Sequence, residues 1–450
     1  MRRNIIINRK KNTNISMKLH KRILNILFWS VVSAAFIGPG TITTAAKSGA
    51  SFGSGLLWAL LFSTLACLLL QEAASRITIL SGRNLGEALK EKWQNSLLGW
   101  PLVILIALAI GGGAAAYEMG NLIGAKEGMT LLFPGMKTLI IPVLGLSAAI
   151  ILFIPSLKTV ARIMGVLVMI LGFTFLYAAI KVAPPFSEIW QGLLIPRMPS
   201  GSEAPWLVLA LIGTTIVPYN LFLGSGISST KNSLKEMRWG LTFAILLGGL
   251  FSMSVVVVGS ALKGDFSFQS LAAALSSHTG VEGKYLLGIG LFAAGFTSAI
   301  TAPLATAITL KSLFGKKESP GWQSNGLYFR ISWFLVLAIG MFFAILNLKP
   351  IPAIILAQAL NGLILPLVSF LLVWLIHDKD LTGRRNPLAN SILLGTTLVI
   401  TLVIGLNNLM LSIGKILNFN IDNPSLVLKI FVAASLVITG LFFFKILKRR

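Results

Sequence analysis

Apolar residues recur along this chain in runs of about 20, the length a helix needs to cross a bilayer. The runs are apolar on every side and carry no polar stripe. Twelve can be read, at approximately 23–46, 54–75, 98–122, 138–155, 163–182, 205–229, 240–261, 284–309, 331–348, 351–376, 388–411 and 427–444. Membrane strands would instead alternate apolar and polar residues over about 10 positions. The pattern predicts an all-α integral membrane protein with about 12 transmembrane helices. Two runs are interrupted, at FIGPGTITTAAKSG (36–49) and at LIGTTIVPYNLFLGSG (211–226).

The interruptions match. Ile37-Gly38-Pro39-Gly40-Thr41 and Ile216-Val217-Pro218-Tyr219-Asn220 each place Ile, a variable residue, Pro, another variable residue and then a side chain with a hydrogen-bonding oxygen. They lie five spans apart. Proline removes a backbone donor and clashes with the preceding turn; glycine tolerates conformations closed to other residues. The freed polar groups cannot face lipid, so such backbone persists at membrane depth only where it lines a cavity or is buried in protein. Pro39, Gly40 and Pro218 are therefore expected to break the first and sixth helices, and the two breaks to form walls of one midplane site, because matched broken helices mark substrate sites in secondary transporters. The competing reading is a pair of packed, kinked helices.

Composition supports a membrane protein. The chain has 450 residues, 12% charged and 55% hydrophobic, with mean hydropathy +0.84; soluble domains carry about twice that charge fraction. The net charge of +24 raises the question of nucleic acid, but its distribution answers it. With the N-terminus in the cytoplasm, 28 of the 38 Lys and Arg residues fall on the cytoplasmic side, as the positive-inside rule requires. Both termini are then cytoplasmic, anionic lipid is the neighbour of the basic segments, and no nucleic-acid partner is expected. The basic start before an apolar run resembles a signal peptide, but that run carries the repeated motif; Met17 is an alternative start to Met1. Short loops and the lack of a targeting segment point to a bacterial inner membrane. The single Cys67 reads as a small buried hydrophobe. No phosphate loop, His-Glu-x-x-His or nucleophile elbow occurs, so no enzyme activity, no cofactor and no obligatory protein partner are expected, and uphill transport would draw on an ion or proton gradient.

Glu118, within LAIGGGAAAYEMGNLIG (108–124), is the unusual acid. A charge at mid-bilayer costs about 2.5–3.5 kcal/mol or more, and such residues usually face a cavity or relay. Either it couples protons or ions, or it is a protonated carboxyl bonded to a neighbour. Glu72 and Arg76 are spaced i,i+4 and read as a structural pair. His20, His278 and His377 fall in the tail or at helix ends. Gly111 to Ala116 reads as a close-packing surface, Trp58, Trp93, Trp100 and Trp206 as interfacial anchors, and Lys47 as a headgroup contact or, less simply, a guard of the outer vestibule.

Beyond the two breaks, LLLQEAASRITILSGRNLGEAL (68–89), AQALNGLILPL (357–367) and HDKDLTG (377–383) carry a resemblance to the NRAMP family (natural resistance-associated macrophage proteins) over about residues 25–445. That resemblance implies a LeuT-like fold, with a basic cytoplasmic tail at 1–22, a first five-helix repeat at 23–182, a second, inverted one at 205–376, and two additional helices with a basic tail at 388–450. It also implies a secondary transporter that moves a divalent metal cation by alternating access with proton coupling. The site residues depart from the family pattern. Gly38 stands where the family has a metal-binding Asp, Thr41 for its Asn, Val217 for its Met, Tyr219 and Gly224 for two His; Asn220 and Gln358 match. In the third helix, Glu118 and Asn121 take the places of an Asp and a Glu on the proton route. Thr41, Asn220 and Gln358 remain as uncharged oxygen ligands for a metal. The gross attraction of a divalent ion to one carboxylate is on the order of 10 kcal/mol at an effective dielectric near 20, and much of it offsets dehydration. A neutral site therefore suits a cation that keeps some of its water, or a monovalent ion or small polar solute; a membrane sensor on the same scaffold is the third reading.

Overall fold

The computed structural model describes residues 22–448 apart from 94–95, 98, 137–138, 201–202, 263, 280–281, 316–318, 347–348, 384 and 418–423. Side chains at 136, 282, 350, 352–353, 355–363, 411–417, 424–425 and 446–448 are also outside the described set. The basic tail before Arg22, with both candidate start methionines and His20, and the side chain of Gln358 thus lie outside the described residues.

Among the described residues the regular structure is helical throughout. The first run is two helices, α1 (Arg22–Phe36) and α2 (Pro39–Phe52), bent by 67°. There follow α3 (Leu57–Ser81), the short α4 (Leu85–Trp93), α5 (Gly99–Leu132), α6 (Ile140–Leu152), α7 (Leu157–Val182) and the short α8 (Phe186–Leu194). The sixth run is α9 (Ala204–Thr215) and α10 (Pro218–Ile227). After it come α11 (Leu234–Gly259), α12 (Phe268–Thr279), α13 (Glu282–Phe314), α14 (Leu327–Ile345), α15 (Pro350–Ile376), the one-turn α16 (Lys379–Thr382), α17 (Leu388–Leu417) and α18 (Pro424–Lys448). Nine helical stretches among the described residues are long and apolar enough to span a bilayer, ten with the bent pair. The fourth run departs from expectation: expected over 138–155, it forms a helix of only 13 residues, α6, about 20 Å long.

Apolar side chains both fill this bundle and coat it. Trp29, Phe36, Phe175, Phe251 and Trp333 are buried inside, while Leu108, Ile180, Val437, Leu441 and Phe444 are more than half exposed, an outward face that lipid satisfies. Inside, small residues let helices approach closely. A Cβ on Gly128 of α5 would stand 2.4 Å from the Phe292 backbone N of α13, and one on Gly295 of α13 would stand 2.4 Å from the Ala125 N of α5. The expected packing run contributes to the same seam, with Ala114 fully buried and Gly111 facing Thr306.

Polar ties cluster at the ends. Glu72 binds Arg76 at 3.3 Å, as the spacing predicts, and Arg238 of α11 at 2.8 Å. Arg76 also donates to Asn386 Oδ1 at 2.9 Å. Lys92 pairs with Asp378, and Trp93 packs edge-on against Trp374. At the opposite end Trp58 Nε1 donates to the Arg197 carbonyl at 3.0 Å. Lys47, read from sequence as a headgroup contact or a vestibule guard, pairs with Glu203 at 3.5 Å, so it links the second half of the first run to the start of the sixth. Cys67 is buried and free.

Candidate substrate site

The first break follows from backbone accounting. A helix leaves its last four carbonyls without helical donors. In α1 the donor for Ala35 should come from residue 39, and Pro39 has no N–H. Gly38 is extended, with φ −97° and ψ 179°, and Pro39 opens α2 at a position where a missing N–H costs nothing. Side chains take over the stranded carbonyls. Thr41 Oγ1 donates to the Phe36 carbonyl at 2.5 Å, Tyr219 Oη to Ala35 at 3.3 Å and Ser298 Oγ to Ala34 at 3.1 Å. Asn220 Nδ2 donates to Val32 at 2.9 Å.

Two of those donors belong to the second break. There α9 ends at Thr215, Ile216 and Val217 are extended, and Pro218 opens α10. The structure therefore brings Gly38–Thr41 and Val217–Asn220 together, the second motif hydrogen-bonded to the carbonyl end of the first broken helix. Tyr219 also meets Tyr117 of α5 edge-on, at 5.8 Å between ring centroids.

Every described residue here is buried: Tyr219 and Asn220 completely, Thr41 and Val217 almost so. Neither of two open clefts reaches them. One, of about 270 Å³, lies between Ser54, Glu188 and Arg197, and the other, of about 260 Å³, between Arg83, Lys92 and Asp378.

Within it the donors are spent and acceptors remain. Asn220 Oδ1 is buried with no hydrogen-bond partner. Glu118, the one fully buried acid among the described residues, receives Asn121 Nδ2 on Oε2 at 3.5 Å, while its Oε1 has no partner. Asn121 lies between Glu118 and the first break: its Oδ1 is 3.5 Å from where a Cβ on Gly38 would stand. No group of three His, Cys, Asp or Glu that could hold a metal occurs among the described residues, and the side-chain oxygens of Thr41, Tyr219 and Asn220 at the two breaks are uncharged. Hard cations accept such ligands.

Three contributors were not evident from sequence. Ser298 sits 2.9 Å from a Gly38 Cβ, in the space a side chain would take. Gly340 of α14 gives room to Glu118, whose Cγ would be 2.3 Å from a Cβ there. Gln71 of α3 lies against Gly224 of α10. The small-residue stretch FAAGFTSAIT (292–301) signals close packing, but nothing in it marks Ser298 among its polar neighbours.

Residues 30–411 match the family described as natural resistance-associated macrophage protein-like. Among curated proteins, the divalent metal cation transporter MntH of Verminephrobacter eiseniae is 24% identical over 418 residues, covering 88% of this chain and 90% of that protein. The MntH of Klebsiella pneumoniae is 25% identical over 364 residues, covering 76% and 83%. Among solved structures, the Eremococcus coleocola manganese transporter in complex with an aromatic bis-isothiourea compound superposes with a TM-score of 0.74 at 19% identity, over 95% of each chain. A nucleobase-cation-symport-1 family transporter in a closed conformation gives 0.54 at 15% identity, over 94% and 93%.

Proposed function

This chain belongs to the natural resistance-associated macrophage protein family, whose members are transporters rather than enzymes, and from that premise we propose that it carries a divalent metal cation across a bacterial inner membrane by alternating access. Both termini lie in the cytoplasm beside anionic lipid, and 23–182 and 205–376 act as the two inverted repeats. The cation is held at the joined breaks by Thr41, Asn220 and Gln358, with the backbone around Gly38 and Val217 and the ring of Tyr219 completing the walls. Since these ligands are neutral, the cargo is a hard ion that keeps part of its water, such as magnesium or calcium.

The observation that carries this reading is Asn220 Oδ1, a buried acceptor without a partner at the point where the two breaks meet. An unpaired buried oxygen is costly, and a cation is a partner it can take. Glu118 and Asn121 supply a route for a coupled proton beside the first break.

The test is magnesium uptake into proteoliposomes. Asn220→Ala and Thr41→Ala each lose most of the uptake while remaining folded; unchanged uptake in both removes the site assignment. Glu118→Gln abolishes the acidification that accompanies uptake. A second reading rests on the absence of any acid at Gly38: a monovalent ion or small polar solute, which needs no carboxylate. It gains support if potassium or an uncharged amino acid is carried and divalent ions are not.

A further inference from the structure

Gly224 lies one turn along α10 from Asn220, towards the cytoplasmic end in the proposed orientation. A Cβ built there would stand 2.1 Å from Gln71 Oε1, so any larger residue would push this amide aside. Gln71 is fully buried, and neither its Oε1 nor its Nε2 has a hydrogen-bond partner. Native interiors seldom keep an amide in that condition unless a ligand or water completes it.

The neighbouring hydroxyls are committed elsewhere. Ser75 and Ser228 both donate to the Gly224 carbonyl, at 3.3 and 2.8 Å. Thr78 and Ser225 share a bond of 2.8 Å, and Ser225 Oγ also accepts from the Leu85 N–H at 2.7 Å. None of these hydroxyls bonds Gln71. Asn220 Oδ1 is orphaned as well, and positions i and i+4 share a helix face. Asn220 and Gly224, against which the Gln71 amide lies, therefore stand on successive turns of α10, about 6 Å apart along its axis.

We propose that Gln71 forms a second oxygen subsite for the transported cation, a waypoint between the Asn220 site and the cytoplasm. Oε1 ligates a hard divalent cation directly or through its water, and Nε2 donates to a water that travels with it. Gly224 holds the subsite open. The inference rests on the cation-transport reading above.

The experiment uses the full chain, purified for magnesium calorimetry and reconstituted for magnesium uptake. Gln71→Leu removes the amide at similar volume; Gly224→Ala leaves the amide and displaces it. Both lower the maximal uptake rate by roughly tenfold, while magnesium binding at the Asn220 site stays within about twofold of wild type; Asn220→Ala has the opposite signature, weakened binding. Gln71→Glu, which restores an oxygen ligand, recovers transport. Wild-type uptake by folded Gln71→Leu overturns the waypoint and leaves the Asn220 site standing. If Gln71→Leu does not fold, Gly224→Ala with unchanged uptake overturns it equally. A wild-type protein that neither binds nor carries magnesium or calcium removes the cation reading itself, and the waypoint with it.

Discussion

Gly38→Asp places a carboxylate at the first break, and the structure sets its cost. The new Cβ would stand 2.9 Å from Ser298 Oγ and 3.5 Å from Asn121 Oδ1. At 2.9 Å Ser298 has to move, which breaks its bond to the Ala34 carbonyl. Losing that bond and leaving the buried carbonyl unpaired costs about 1–3 kcal/mol. The carboxylate itself faces an amide oxygen, is buried and has no counter-charge, which in real proteins costs several kcal/mol more. Without metal, the variant should therefore be less stable than wild type by at least about 3 kcal/mol. A divalent cation reverses the balance, because its gross attraction to the carboxylate is on the order of 10 kcal/mol at an effective dielectric near 20. Thermal unfolding in detergent, in chelator and then in manganese or magnesium, reads both effects. The variant melts well below wild type in chelator and regains most of the difference with metal. Adding Ser298→Ala returns part of the chelator loss, since it removes the nearest atom. A Gly38→Asp protein as stable as wild type in chelator refutes the packing argument; one that no metal rescues refutes the placement of the ion at this break.

Other consequences can be measured separately. Gly340→Ala drives a methyl to 2.3 Å from Glu118 Cγ and 3.0 Å from the Glu118 backbone carbon; overpacking of this kind costs about 1–3 kcal/mol, and a variant with unaltered melting and proton flux contradicts the fit. Thr41→Val keeps the volume but leaves the Phe36 carbonyl without its 2.5 Å partner, lowering stability by about 1–3 kcal/mol; an unchanged melting temperature shows that another donor serves that carbonyl. Glu72→Gln weakens the pair with Arg76 within α3 and the tie to Arg238 of α11 by about 2 kcal/mol, a loss that denaturation at low and high salt should report alike if the nearly buried Arg76 dominates it.

The helices were legible because a run that is apolar on every side has one solution in lipid. The bend in the first run was legible because proline at membrane depth forces a backbone account. Thr41 meets a carbonyl only five residues away, that of Phe36. Tyr219, Asn220 and Ser298 could not be assigned their carbonyls: these lie 184, 188 and 264 residues distant, and spacing along the chain says nothing about which face meets which. The same holds for Gly340 and for Gln71 beside Gly224, where a missing side chain on one helix is explained only by an ordinary one on another. The Lys47–Glu203 pair was hidden for a related reason: Glu203 precedes a helix five spans on, and a lone basic residue at a span end looks like any headgroup contact. The fourth run shows the limit of hydropathy, which measured its apolar length and missed that only 13 residues coil.

The central claim is that two broken helices meet to make an uncharged oxygen site for a cation. Its most direct test is uptake by the wild-type protein in proteoliposomes offered magnesium, calcium and manganese in turn, with a pH-sensitive dye inside. The account predicts uptake of magnesium or calcium in preference to manganese, with acidification of the lumen. Transport confined to manganese would contradict the charge argument, and no flux of any divalent ion would contradict the claim itself.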